Sequence, residues 1–235
     1  MSDELEKAQM SDKQEEKIEK IVPSKLENAM YKFAYKYLGE KIPENVTPNQ
    51  ITLLGALSGL LGIICASLSG ISIYFLIGTI VGISGHLICD DLDGYVARKR
   101  NMTSKAGGYF DLLTDIVHIT YLIVAFAFTG ILSAKIAVVI APVYALLIFT
   151  SMNSILHLKK FPFPRVGPIE THLFFIAICV VSMVFGTDSV VTLGSLELNI
   201  ADLICVVGGI PMYYEMIRLQ IELFKDLQKV DKEGK

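Results

Sequence analysis

Residues 1–40 are rich in Lys and Glu and carry no short apolar core, so no signal peptide is expected. Cysteine is scarce. Cys65, Cys89, Cys179 and Cys205 lie far apart in apolar stretches, which argues against a disulfide framework or a thiolate metal site, and they read as small core residues. No internal repeat or low-complexity tract is evident. Charge is also lopsided along the chain. Of 21 basic residues, only Lys135 falls at the far end of the apolar stretches described next.

Those stretches dominate the chain. With 52% hydrophobic residues and a mean hydropathy of +0.52, its 235 residues are too apolar for an ordinary soluble domain. Read as membrane spans, the apolar segments fall at about 50–69, 71–92, 107–130, 133–155, 168–186 and 199–218. The expected fold class is therefore all-α, a polytopic membrane protein with six transmembrane helices and an N-terminal interfacial amphipathic helix. The face carrying almost all the Lys and Arg should be cytoplasmic, and an even number of spans puts both termini there. In a prokaryote this would be the cell membrane. The net charge of -3 says little about partners for a chain mostly in lipid, and no nucleic-acid partner is expected.

One stretch contradicts its surroundings. Asp90-Asp91-Leu92-Asp93-Gly94-Tyr95-Val96-Ala97-Arg98 is followed by Gly107, Asp111 and Asp115, where the flanking sequence calls for a bilayer. Ionised groups there are costly, and by default they mark a functional site. The apolar run Ile116–Ile131 falls short of the roughly 20 residues of a spanning helix, and extending it back to Gly107 places Asp111 and Asp115 inside the helix. Asp90 and Asp93 are spaced i, i+3, and Asp111 and Asp115 i, i+4, so on two helices each pair shares a face. Facing each other, they would offer four hard oxygen ligands, a set that suits Mg, Mn or Ca rather than zinc or copper. A pair of such ions about 3.5 to 4 Å apart is the usual clamp for displacement at phosphorus. Gly94 and Gly107 would let backbone approach a ligand, and Arg98 could neutralise a phosphate oxygen. Asp91, Lys99, Arg100 and Lys105 are expected to be solvated.

The spacing Asp90-x2-Asp93-Gly94-x2-Ala97-Arg98-x8-Gly107-x3-Asp111-x3-Asp115 resembles the signature of the CDP-alcohol phosphotransferase family at every fixed position. The resemblance implies that an alcohol hydroxyl attacks the β-phosphorus of a CDP-linked lipid or alcohol, that CMP leaves, and that a phosphodiester, usually a phospholipid, results. It implies two Mg2+ or Mn2+ ions held by Asp90, Asp93, Asp111 and Asp115, with Asp115 also the general base. Gly94, Ala97, Arg98, Ser104 and Gly107 would contact the CDP moiety. Thr47, Pro48, Asn49, Gln50 and Thr52 are similar to the family's Pro-Asn-x-x-Thr segment, which helps receive the nucleotide, although Thr47 and Pro48 also make a good helix start. A homodimer is implied as well, with membrane lipids as further partners.

The rest of the chain is less specific. Residues 1–23 read as a charged tail and 24–46 as the interfacial helix. Ser24 and Glu27 would form a capping box, with Leu26, Met30, Phe33, Ala34, Tyr37 and Leu38 on one face, against lipid or against the spans. Residues 47–218 form the membrane domain and 219–235 a charged cytoplasmic tail. His86 and His118 flank the acidic motif either as partners of its carboxylates or as satisfied histidines between helices. Ser151, Asn153, Ser154 and His157 line an acceptor pocket or mark the membrane surface. Pro162, Pro164 and the Gly167-Pro168 pair predict a rigid turn. Glu170 after it either orients an acceptor or caps its own helix, and Arg165 is a candidate acceptor contact. Asp202 and Glu215 are expected at the interfaces. The reaction that the family resemblance leads one to expect is phosphatidyl transfer from CDP-diacylglycerol to a small alcohol. Alternatives are a choline- or ethanolamine-type phosphotransferase acting on diacylglycerol and an ion-coupled transporter.

Overall fold

The structure, a computed structural model, describes residues 19–20, 29, 32, 35–162, 165 and 167–233. The described residues form six long helices: α1 (Pro48–Leu68), α2 (Phe75–Lys99), α3 (Lys105–Thr129), α4 (Ala134–Leu158), α5 (Pro168–Phe185) and α6 (Ile200–Glu233). All six are long and apolar enough to cross a membrane, which makes this an all-α, multi-pass membrane protein. A two-stranded hairpin, Val191–Leu193 with Leu196–Leu198, separates α5 from α6. Glu19–Lys20 and Lys160–Phe161 form a short parallel pair.

Local sequence explains where the helices begin. Thr47 and Gln50 form a reciprocal capping box ahead of α1, with Pro48 in the first turn. Ser104 and Ser133 cap α3 and α4 by accepting the backbone N–H of Gly107 and Ile136. Gly130 ends α3 in the left-handed conformation at φ 76°. α2 continues past the hydropathic limit near residue 92 to Lys99, so the acidic motif lies on helix rather than in a loop. α6 likewise runs beyond residue 218 to Glu233.

Helix packing inverts the habit of soluble proteins. α1 buries Gly55, Gly59, Gly62 and Ala66 and turns Leu53, Leu54, Leu57, Leu60, Leu61 and Ile64 outward. Lipid tails solvate leucine as well as a protein core does, so close backbone approach holds such helices together. A Cβ on Gly62 would come within 3.3 Å of the Gly82 backbone, so α1 and α2 touch nearly main chain to main chain. Behind them Leu76, Ile83, Ile119, Leu122, Phe126, Phe175 and Ile178 form the core.

Polar ties close both ends. At one end Asp202 accepts the backbone N–H of Ser133 (2.8 Å) and Asn199 (3.1 Å), while the Asn199 amide donates to Ile131 O (3.1 Å). Asp202, at the start of α6, is only 1% exposed and acts as a buried tie. At the other end the Arg100 guanidinium donates to the carbonyls of Val46 (2.7 Å), Ile42 (2.8 Å) and Glu44 (3.4 Å), fixing the turn that leads into α1. The expectation that Arg100 and Asp91 are merely solvated is corrected here. Arg100 is consumed by backbone, and Asp91 is 5% exposed because its position on α2 faces inward once the helix continues. Lys99 and Lys105 are exposed as expected. Replacing Arg100 by Ala should cost about 1.5–3 kcal/mol, the worth of charged hydrogen bonds, and lower the thermal unfolding midpoint in detergent. An unchanged midpoint would show the clamp to be idle.

Of the expected N-terminal helix, Ser24, Leu26, Glu27, Met30, Phe33 and Ala34 lie outside the described residues, as do residues 1–18. Residues 35–37 are helical, and Gly39–Lys41 form a 3-10 turn. Tyr37 and Leu38 are exposed, whereas Tyr35 stacks on Tyr95 of α2 at 4.3 Å.

Candidate active site

The acidic motif spans the end of α2 and the start of α3. Asp90, Asp111 and Asp115 each offer a carboxylate oxygen, and the three oxygens lie within 4.8 Å of one another. Asp115 is buried (5% exposed), with Asp90 and Asp111 half-buried beside it. Asp93 turns toward α1, where the Thr52 hydroxyl donates to its carboxylate at 2.5 Å and also to Pro48 O at 3.2 Å.

Both oxygens of Asp115 have partners from other helices. His86 Nε2 on α2 is 3.2 Å from Oδ1, and the Tyr144 hydroxyl on α4 donates to Oδ2 at 3.4 Å. His86 is thereby a partner of the acidic cluster, one of the two readings open for it. Tyr144 was not found from sequence. Its signal is a phenol in an apolar span, where a hydroxyl needs a partner. His172 on α5 joins His86 and His118, with ring centroids 5.5 and 5.7 Å away. Its signal is similar, an ionisable side chain inside a span.

The residues expected to receive CDP gather at the same end. Asn49 Oδ1 would lie 3.1 Å from a Cβ on Gly107, so the start of α1 rests on the bare backbone of α3. Thr47, Gln50 and Ser104 spend polar atoms on helix capping. Arg98 folds over Gly94, where a Cβ would meet its Nη1 at 3.1 Å, and its Nη2 donates to the Tyr35 hydroxyl at 3.0 Å. Burial pushes the Tyr35 phenol above its ordinary range, against the opposing pull of Arg98. Ala97 is half-buried one residue earlier.

The acceptor candidates sit farther round the bundle. Glu170 Oε2 accepts the backbone N–H of Gly167 at 3.0 Å, the helix-capping contact left open for it. Arg165 is exposed, and its Nε lies 3.8 Å from Glu215. Glu215 also pairs with Arg218 at 2.7 Å and is 3% exposed, so it is buried and paired. Ser151 and Ser154 are buried, while His157 is exposed.

An oxygen-only cluster from two helix ends, with Arg98 folded over the bare backbone of Gly94 one turn along α2 from Asp90, has the makings of a phosphoryl-transfer centre. The family model of CDP-alcohol phosphatidyltransferases matches residues 45–210, and the chain belongs to that family. Its chemistry is the transfer of a phosphoalcohol group from a CDP-alcohol to an alcohol acceptor. Among curated proteins, a bifunctional IPC transferase and DIPP synthase of Thermococcus kodakarensis is 41% identical over 78 residues, which is 33% of this chain and 17% of that relative. The chain therefore spans only a small part of that relative's length.

The donor set fits hard divalent cations. Three carboxylate oxygens within 4.8 Å of one another suit Mg2+ or Mn2+.

Proposed function

We propose that this protein is a metal-dependent phosphotransferase that moves the phosphatidyl group of CDP-diacylglycerol to a small alcohol and releases CMP, a step of phospholipid synthesis. The observation that carries this reading is the convergence of Asp90, Asp111 and Asp115 where α2 ends and α3 begins. Asp93 would complete the cation-binding set. Two ions bound there would neutralise the diphosphate and draw electron density from the phosphorus under attack.

The chain's own groups do the rest. Asp115 takes the proton of the acceptor hydroxyl, whose oxygen forms a bond to the β-phosphorus. The bond from that phosphorus to the bridging oxygen breaks, and CMP leaves with the electron pair. Arg98, already lying over Gly94, neutralises a phosphate oxygen where no side chain stands in the way. Asn49, Thr52, Ala97, Ser104 and Gly107 frame the nucleotide, and Thr47, Pro48 and Gln50 hold the α1 start that presents them. Glu170 and Arg165 lie on the acceptor side. The motif end faces the cytoplasm, supported by the concentration of basic residues there. Family resemblance supports a homodimer.

The test is CMP release by detergent-purified protein with CDP-diacylglycerol and Mg2+ or Mn2+, offering serine, inositol, inositol phosphate and glycerol phosphate separately. Release with one acceptor is expected. CMP only from CDP-choline or CDP-ethanolamine with diacylglycerol would reverse the roles of lipid and head group. No CMP from any combination, with folded protein, would overturn the proposal.

A further inference from the structure

Three histidines from three helices meet beside Asp115, and the reaction as written uses none of them. His86, His118 and His172 are 2%, 3% and 0% exposed. His86 and His118 lie face to face, with centroids 4.2 Å apart and planes 8° from parallel. His86 Nδ1 sits 3.1 Å from Gly55 O and Nε2 3.2 Å from Asp115 Oδ1, and since a carbonyl and a carboxylate both only accept, each ring nitrogen donates a hydrogen to its partner. The ring is thus fixed at both nitrogens and on one face. His118 can occupy that face because residue 59 has no side chain, and a Cβ there would run into its imidazole. Neither nitrogen of His118 has a hydrogen-bond partner among the described residues, so within the bundle the ring is used for its face alone.

We propose that His86 is a positioning residue that holds the Asp115 carboxylate in the orientation needed to share a cation with Asp90 and Asp111, with His118 setting the plane of the His86 ring. The inference rests on the function proposed above. A carboxylate on a helix can rotate about χ1 and χ2, and a partner on each oxygen removes that freedom. Tyr144 supplies one and His86 the other, the latter closer and with its own ring anchored to α1.

The test uses the full chain in detergent and two readouts. Mn2+ binding is followed by the paramagnetic resonance signal of the free ion, without substrate, and turnover by CMP release. His86→Leu is expected to weaken Mn2+ binding and to lower kcat by about 10- to 100-fold each, with KM for CDP-diacylglycerol changed by less than about twofold. His86→Gln places an amide near the original Nε2 and is expected to restore both to within about threefold of the parent. His86→Asn reaches Gly55 but not Asp115 and should behave like His86→Leu, which covers a failure of the leucine variant to fold. Parent-like Mn2+ binding in His86→Asn would overturn the inference. So would a His86→Gln protein as impaired as His86→Asn at an unchanged unfolding midpoint. Parent protein that binds Mn2+ but releases no CMP would remove the proposed reaction and leave the Mn2+ comparison to decide. Parent protein that binds no Mn2+ would overturn both.

Discussion

Asp115→Asn should lower CMP release by about 10²- to 10⁴-fold, the range that a general base contributes, in a protein that still folds. Asn has the same shape, so the core around residue 115 keeps its packing. Its amide can still meet Tyr144 and His86 once the chain turns to suit them. What disappears is the basic oxygen and a full negative charge among the converging carboxylates. KM for the CDP donor should stay near the parent value, because the groups placed around the nucleotide lie on α1, on α2 and at the start of α3. CMP release kinetics on the two proteins, with matched unfolding midpoints, make the comparison. Residual activity near the parent level would move the base elsewhere.

Asp111→Asn should have opposite effects on function and on metal-free stability. Two ionised carboxylates no more than 4.8 Å apart repel by at least about 3.5 kcal/mol at an effective dielectric constant near 20, and the cluster contains three such groups. Removing one charge should therefore raise the unfolding midpoint in EDTA while abolishing tight Mn2+ binding and turnover. Adding Mn2+ should reverse the order. The parent gains about 2.7 kcal/mol at a hundred times its dissociation constant, and the variant gains little. Thermal unfolding of both proteins with EDTA and with Mn2+ measures all four values. Equal midpoints in EDTA would show that the carboxylates do not strain the empty cluster. Such a result would also weaken the view that stability is given up here for function.

The span positions were legible because the bilayer sets both length and polarity, and each expected stretch is a helix. Their ends were less so. Hydropathy stops near residue 92, but the backbone ladder of α2 continues to Lys99, since hydrogen bonding along a helix does not depend on what its side chains prefer. The same continuation explains Asp91 and Arg100. Counted as loop residues they look solvated, but at the end of a helix facing residues 42–46 they are enclosed or consumed by carbonyls. The i, i+3 spacing of Asp90 and Asp93 gave a shared side of α2, yet about 60° of helix still separates them. Asp90 takes the α3 side of that interval and Asp93 the α1 side, against Thr52. No spacing rule could bring Tyr144 to Asp115 or His172 to His86. They arrive from α4 and α5, and only tertiary packing brings those helices to the site.

The last helix has a consequence of its own. At 1.5 Å per residue the 34 residues of α6 extend about 50 Å, against roughly 30 Å of hydrocarbon. About 20 Å must stand clear of the lipid on the side of the acidic motif, braced by pairs such as Arg218 with Glu222 and Lys229 with Asp226. A small, mostly lipid-immersed protein thus carries a stiff mast. A domain joined to it by continuous helix would be held at a fixed angle to the bundle, giving particle images of the micelle a feature by which to align them.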